Sequence, residues 1–147
     1  MKKSSIFFAA FSFMMIQSVS TFASDRVISV SQLPAPAKAF VSQNFPGQTI
    51  SYAKIDNDFF GATYEVCLNN GVEVDFDNHG VWDNVDCKFS AVPAKLIPAN
   101  IANYVNKNFK GATIVKIDKE HYGYEVELSN GLDLKFNRNG SFMMIDD

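Results

Sequence analysis

Tyr64-Glu65-Val66-Cys67-Leu68-Asn69-Asn70-Gly71-Val72-Glu73-Val74-Asp75-Phe76 decides the fold, and the chain writes it again as Tyr124-Glu125-Val126-Glu127-Leu128-Ser129-Asn130-Gly131-Leu132-Asp133-Leu134-Lys135-Phe136. In both stretches apolar and polar residues alternate, the signature of an antiparallel strand with one buried and one wet face. Tyr64, Val66 and Leu68 point inward, as do Val72, Val74 and Phe76, and the second stretch repeats this with Tyr124, Val126, Leu128, Leu132, Leu134 and Phe136. Asn70-Gly71 and Asn130-Gly131 are hairpin signals, expected to form two-residue turns with positive φ at both central positions.

The similarity extends outward from these hairpins. Asn44-Phe45-Pro46-Gly47 returns as Asn108-Phe109-Lys110-Gly111, and Asp77-Asn78-x-Gly80 as Asn137-Arg138-x-Gly140. Upstream, Ile97, Ile101, Tyr104 and Val105 form one apolar helical stripe, matched by Leu33, Ala37, Phe40 and Val41. Pro34 and Pro98 suit a first helical turn, and Gly47 and Gly111 a left-handed C-terminal cap. Further strands are expected at about Thr49–Ile55 and Thr113–Ile117. In a last strand Trp82 and Val85 match Phe142 and Ile145, a three-residue step that predicts a bulge. The expected fold is therefore α+β, a tandem repeat of a helix packed on a four-stranded antiparallel meander. Its boundaries are 1–23 for a signal peptide, 24–87 for the first repeat and 88–147 for the second.

Residues 1–23 read as an export signal. Lys2 and Lys3 give a positive start, Ile6 to Ile16 is too short to span a bilayer, and Thr21-Phe22-Ala23 fits a cleavage site. The mature chain of about 124 residues is expected in the periplasm or secreted, with no membrane insertion after cleavage. Without Lys2 and Lys3, the 13 basic residues fall to 11 against 16 acids, a net charge of −5. Residues 25–87 hold three bases and nine acids, whereas residues 88–147 hold eight and seven. An acidic chain disfavours nucleic acid and anionic membranes as partners. The acidity of the first half serves solubility, or else steers a basic partner.

Catalytic chemistry finds little support. His79 and His121 fall in non-equivalent turns, and there is no Gly-x-Ser-x-Gly elbow. Asp75-Phe76-Asp77-Asn78-x-Gly80 and Asp56-Asn57-Asp58 superficially resemble calcium loops, but both lack the bidentate Glu and the spacing, so no metal and no cofactor are expected. Cys67 and Cys87 are a candidate disulfide in an exported chain. Against pairing, strands two and four of a meander lie roughly 10 Å apart, while a disulfide tolerates Cα separations up to about 7 Å. Closure requires Cys87 to leave the sheet and fold back.

The aromatic loop Asp56-Asn57-Asp58-Phe59-Phe60-Gly61 is expected to be longer than its counterpart Asp118-Lys119-Glu120-His121-Tyr122-Gly123. Phe59 and Phe60 at its tip either anchor a partner or fold inward to cap the core. With outward Glu65, Glu73 and Asp75, and with Tyr122 on the other half, they make up the candidate partner-binding set.

Leu33-Pro34-Ala35, Asn44-Phe45-Pro46-Gly47, Tyr64-Glu65-Val66, Asn70-Gly71, Val74-x-Phe76-Asp77 and Gly80-x-Trp82-x-x-Val85 together resemble the periplasmic PepSY-like family, described as β-lactamase-inhibitor-like. The resemblance covers essentially the whole mature chain; in the second half Lys110 replaces the Pro and Phe142 the Trp. It implies tandem helix-plus-four-strand modules able to join side by side into a curved surface. It also implies a non-enzymatic role, binding or inhibiting an envelope enzyme of the β-lactamase or peptidase type. The alternative is a small-ligand or peptide-binding, envelope-stress accessory protein that uses the same face.

Overall fold

A computed structural model describes residues 25–146. The export signal expected at residues 1–23 lies outside them. Alternation at Tyr64, Val66 and Leu68 and at Val74 and Phe76 yields strands, as period two demands. They join a single antiparallel sheet whose strands follow one another in chain order. These are β1 (Arg26–Ile28), β2 (Ile50–Asp58), β3 (Gly61–Leu68), β4 (Glu73–Phe76), β5 (Trp82–Asp86), β6 (Ile114–Glu120), β7 (Gly123–Leu128), β8 (Asp133–Asn137) and β9 (Phe142–Asp146). The helices are α1 (Ala35–Asn44) and α2 (Ala99–Asn108), ten residues each.

This corrects the expected tandem repeat of two helix-plus-four-strand modules. The chain forms one nine-stranded sheet, mostly β, because β5 pairs with β6 through Asn84↔Asp118, Val85↔Ile117 and Asp86↔Lys116. A ninth strand, β1, pairs with β2 at Arg26↔Ile55 and Ile28↔Ala53 and has no equivalent before α2. One apolar core runs through both halves, from Ile28 and Ala53 through Val66, Val74, Val85 and Ile117 to Val126, Leu134 and Phe136.

Helices this short are marginal alone and depend on the sheet. Ala37 and Val41 of α1, and Ile101 and Val105 of α2, are buried in that core. Phe40 meets Phe76 edge-to-face at 5.5 Å between centroids, and Tyr104 meets Phe136 the same way at 5.5 Å. Pro34 and Pro98 stand at the N-caps, just before the first helical residue. Each proline also disfavours helical backbone at the residue before it, so neither helix extends upstream past it.

The Asn-Gly turns form where expected but with a different geometry. Leu68 N–H donates to Val72 O at 2.8 Å and Gly71 N–H to Leu68 O at 3.0 Å, closing a three-residue loop. Only Gly71 in that loop has positive φ, at 87°. Asn70 instead uses its side-chain oxygen to accept from Val72 N–H at 3.2 Å. The loop is thus a turn followed by a left-handed glycine, the common three-residue hairpin, and not the two-residue turn. The predicted bulge is present: the ladder passes from Asp75↔Asn84 to Phe76↔Trp82, leaving Asp83 unpaired in register.

Candidate functional site

The sheet has one face under the helices and one open face. Cross-strand register lines the open face with a row of polar residues, Lys54↔Glu65↔Asp75↔Asn84↔Asp118↔Glu125↔Lys135, reaching from β2 to β8. Directly opposite neighbours lie about 5 Å apart, so each charge feels the next. Lys54 Nζ sits 3.2 Å from Glu65, which holds the ammonium pKa up. At the other end Lys135 reaches Glu125 at 3.9 Å and also pairs with Asp146. The centre of the row has no basic residue of its own, although Lys116 reaches Asp118 at 3.2 Å from the next row.

Below the β2–β3 turn this row deepens into a pocket of about 250 Å³. Five carboxylates line it (Asp25, Asp56, Glu65, Asp75 and Asp83), with Lys54 as the one basic residue. Burial raises the pKa of Asp75, partly offset by the amide of Asn84, which donates to Asp75 Oδ2 at 2.9 Å. Burial raises Asp83 in the same way, opposed by backbone N–H groups. Asp118, next along the row, is also raised by burial, against the pull of Lys116. One carboxylate oxygen each of Asp56 and Asp83, and the carbonyl oxygen of the Asn84 side chain, are enclosed without a protein partner. Electrostatically the pocket is an acidic concavity short of donors.

The β2–β3 turn rises from the rim of this pocket. Asp58 pairs with Gly61, leaving Phe59 and Phe60 as a two-residue tip. Asp58 Oδ1 accepts from Phe60 N–H at 2.8 Å and from Gly61 N–H at 3.0 Å, fixing the backbone as Asx turns do. Both rings stand in solvent, Phe59 97% and Phe60 92% exposed, and meet each other edge-to-face at 5.7 Å. Neither caps the core. The loop itself is no longer than its counterpart, where Glu120 pairs with Gly123 around His121 and Tyr122. What is longer is the pair of strands beneath it, nine and eight residues against seven and six.

Of the remaining candidates, Glu65 and Asp75 lie in the pocket. Glu73 does not; its carboxylate is held by Lys88 at 2.8 Å. Tyr122 belongs to the other hairpin, where its hydroxyl donates to Glu125 Oε2 at 2.9 Å and its ring lies under Lys135. Because β2 and β6 run the same way, both tips sit at one end of the sheet, four strand spacings or about 19 Å apart. Cys67 and Cys87, whose pairing the sequence leaves open, are both free thiols here. Cys67 pairs opposite Glu73 on the open face, whereas Cys87 is buried in the core on the helix side. The sheet separates them. Three pocket residues carry no local sequence signal. Asp25 precedes β1, Asp56 reads as turn acidity, and Asp83 is aimed by the bulge.

A family model described as "Putative beta-lactamase-inhibitor-like, PepSY-like" matches residues 62–144, which include all but the first residue of β3, β4 to β8 and most of β9. The chain belongs to the PepSY-like family. Solved structures of similar chains agree. A "putative periplasmic protein of unknown function" from Bacteroides vulgatus is 36% identical with a TM-score of 0.81, covering 84% of this chain and 100% of its own. A second B. vulgatus periplasmic protein is 39% identical at a TM-score of 0.79, over 84% and 98%. A "putative calcium-regulated periplasmic protein" from Bacteroides thetaiotaomicron is 41% identical at 0.79, over 84% and 97%. No curated protein matches. The PepSY-like chain is thus periplasmic. Among the described residues no helix is long and apolar enough to cross a membrane.

Proposed function

We propose that this PepSY-like protein is a non-enzymatic binding protein of the periplasm. It docks a protein partner, in the first place an envelope enzyme of the β-lactamase or peptidase type, through the Phe59–Phe60 tip and the acidic pocket beneath it. The observation that carries this reading is the tip. Two adjacent phenylalanines exposed to water bury almost nothing in the fold, whereas aromatic anchors beside a charged rim are how compact interfaces obtain affinity and rate. The inhibitor-like family description supports the choice of partner class. The acids around the tip call for a partner with lysine or arginine at the rim of an apolar pocket.

Calcium regulation is named for one relative and is no part of the reading proposed for this chain. The carboxylates stand in rows at strand spacing with lysines among them. Among the described residues no His, Cys, Asp and Glu group is arranged to hold a metal, whereas calcium takes six to eight converging oxygens.

The test is capture from periplasmic extract on the immobilised mature chain, in parallel with the double substitution Phe59→Ala, Phe60→Ala. Partners identified by mass spectrometry are then titrated individually and, where they are enzymes, assayed for inhibition. A partner whose dissociation constant weakens about thirtyfold or more on tip truncation, roughly the 2 kcal/mol of a hot spot, supports the reading. Equal binding by both forms removes the tip from the site. Elution of small molecules alone favours the ligand-binding alternative.

A further inference from the structure

The acidic pocket has two ends. By strand order, Asp25 and Asp56 stand at the β1–β2 end, and Asp75 and Asp83 at the β4–β5 end. At the first end one acceptor goes unmet. Asp56 Oδ1 is enclosed without a partner, and an enclosed acceptor left unmatched costs the full desolvation of that group. The bases nearby are engaged or turned away. Lys54 holds Glu65 at 3.2 Å, and Arg26 stands opposite Ile55, on the helix side of the sheet.

The chain can supply the missing donor from its own start. The pairs Val27↔Lys54 and Arg26↔Ile55, carried one step further, set residue 25 opposite Asp56. Side chains alternate along a strand, so Asp25 falls on the open face with Asp56. Both line the pocket, where the Asp25 charge acts on Lys54. Ser24 is the next residue upstream, just outside the described residues and about 3.8 Å from Asp25 between Cα atoms across the peptide bond. Thr21-Phe22-Ala23 immediately before it fits a cleavage site. Hydrolysis of the Ala23–Ser24 bond by an export-linked peptidase consumes one water and leaves a carboxylate on Ala23 and an ammonium on Ser24. A neutral amide thereby becomes a cation rich in N–H donors, tethered at the rim of a concavity that lacks them.

We propose that the α-ammonium of Ser24, released when the export signal is removed, occupies the β1–β2 end of the pocket and donates to Asp56. The pocket is then incomplete in the precursor and is finished only by processing, which ties its final charge to export. Facing the ammonium are Asp25 before β1, Lys54 and Asp56 on β2, Glu65 on β3, Asp75 on β4 and Asp83 on β5. Carboxylates dominate that set, so the charged amine is favoured and its proton is held more tightly in the folded chain than in the unfolded one. The far end of the pocket, with the enclosed oxygens of Asp83 and Asn84, stays open to the cationic group of a partner. The pairing itself stands whether or not such a partner docks.

The experiment exports the full precursor, reads the first residue of the mature chain from its intact mass, and then titrates the α-amino group. Reductive methylation with isotopically labelled formaldehyde keeps the amine basic and gives it a carbon resonance that moves with its ionisation. The expected first residue is Ser24, and its amine should bind a proton about tenfold more tightly than in the urea-unfolded chain, a pKa higher by about one. Asp56→Asn should bring the folded value most of the way back. Glu73→Gln, at a carboxylate that Lys88 holds outside the pocket, should leave it unchanged. Circular dichroism confirms that the variants fold, and the native chain compared folded and unfolded decides the question if Asp56→Asn does not. A mature chain that begins elsewhere, equal values in the folded and unfolded states, or a raised value that survives Asp56→Asn would each overturn the pairing. No partner enters these readouts, so an unshifted amine sinks the pairing without touching the docking proposal, and a failed capture does the reverse.

Discussion

Truncating Phe59 and truncating Phe76 remove the same atoms from one polypeptide, and the structure assigns them opposite consequences. Phe76 is fully enclosed, packed edge-to-face against Phe40 of α1 at 5.5 Å. Its replacement by Ala loses the transfer energy of the ring and leaves a cavity, about 3–5 kcal/mol. A kilocalorie moves the melting temperature of a domain this size by about 3–5 °C, so Phe76→Ala should melt some 10 °C or more below the native chain. Phe59 buries almost nothing and touches chiefly Phe60. An exposed pair of that kind unfolds with its own turn, and surface substitutions usually stay within about 0.5 kcal/mol. Phe59→Ala should therefore shift the melting temperature by less than about 2 °C, followed by circular dichroism on the mature chain at neutral pH. If Phe59→Ala costs even half of what Phe76→Ala costs, the ring belongs to the fold, and the case for a docking tip collapses.

Two further outcomes follow from the same geometry. Without reductant, the denatured chain should take up two alkyl groups, one on each cysteine. In the native chain Cys67 should react first, because Cys87 is enclosed and burial pushes its thiol up to about 11; a mass about 2 Da low with no alkylation would reverse the assignment. Replacing Asp83 by Asn should raise the melting temperature at pH 7. Burial raises the folded-state pKa of this acid above its ordinary 3.8, so the folded chain binds the proton more tightly than the unfolded one. Its contribution then falls as pH rises from about 4 through the raised value, and a variant advantage that is as large at pH 3 as at pH 7 would refute the charge origin.

Alternation made the strands legible. Val72, Val74 and Phe76 and their counterparts could bury one face only as half-buried antiparallel strands, and all are enclosed or nearly so. The three-residue step from Trp82 to Val85 likewise announced the bulge. What failed to show had no local cause. β1 is three residues long, too short for any period, and exists through its pairing with β2 twenty-five residues and more away. The joint between β5 and β6 is a choice of neighbour, which no hydrophobic pattern encodes, and it turned the expected pair of modules into one sheet. The Asn-Gly turns were placed correctly but mistyped, because loop length is set by where Leu68 and Val72 close the ladder. In the site, the exposed face of Glu65 and Asp75 could be read from parity, while the tip's direction could not, since outward and inward rings have the same sequence. Asp25 and Asp83 joined the pocket only through a distant strand and a bulge.

The placement of charge along the seam bears on the proposed docking face. Asp83 and Asn84 sit where the sheet is continuous on both sides, and both have an enclosed oxygen without a partner. Stability alone would favour apolar residues there, as β9 carries at Met143 and Met144. Burying carboxylates and leaving acceptors unmatched costs free energy that a merely structural strand would avoid. Of the lysines nearby, Lys54 pairs with Glu65 and Lys135 with Glu125 and Asp146 at the ends of the row, Lys116 reaches Asp118 from the next row, and Lys88 is drawn away to Glu73 and Asp86. The pocket beneath the Phe59–Phe60 tip is left acidic, with five carboxylates to one lysine. In the proposed complex, a partner that brings a guanidinium or ammonium group to those orphaned oxygens would recover the desolvation already spent, and its apolar pocket would take the ring that water now surrounds.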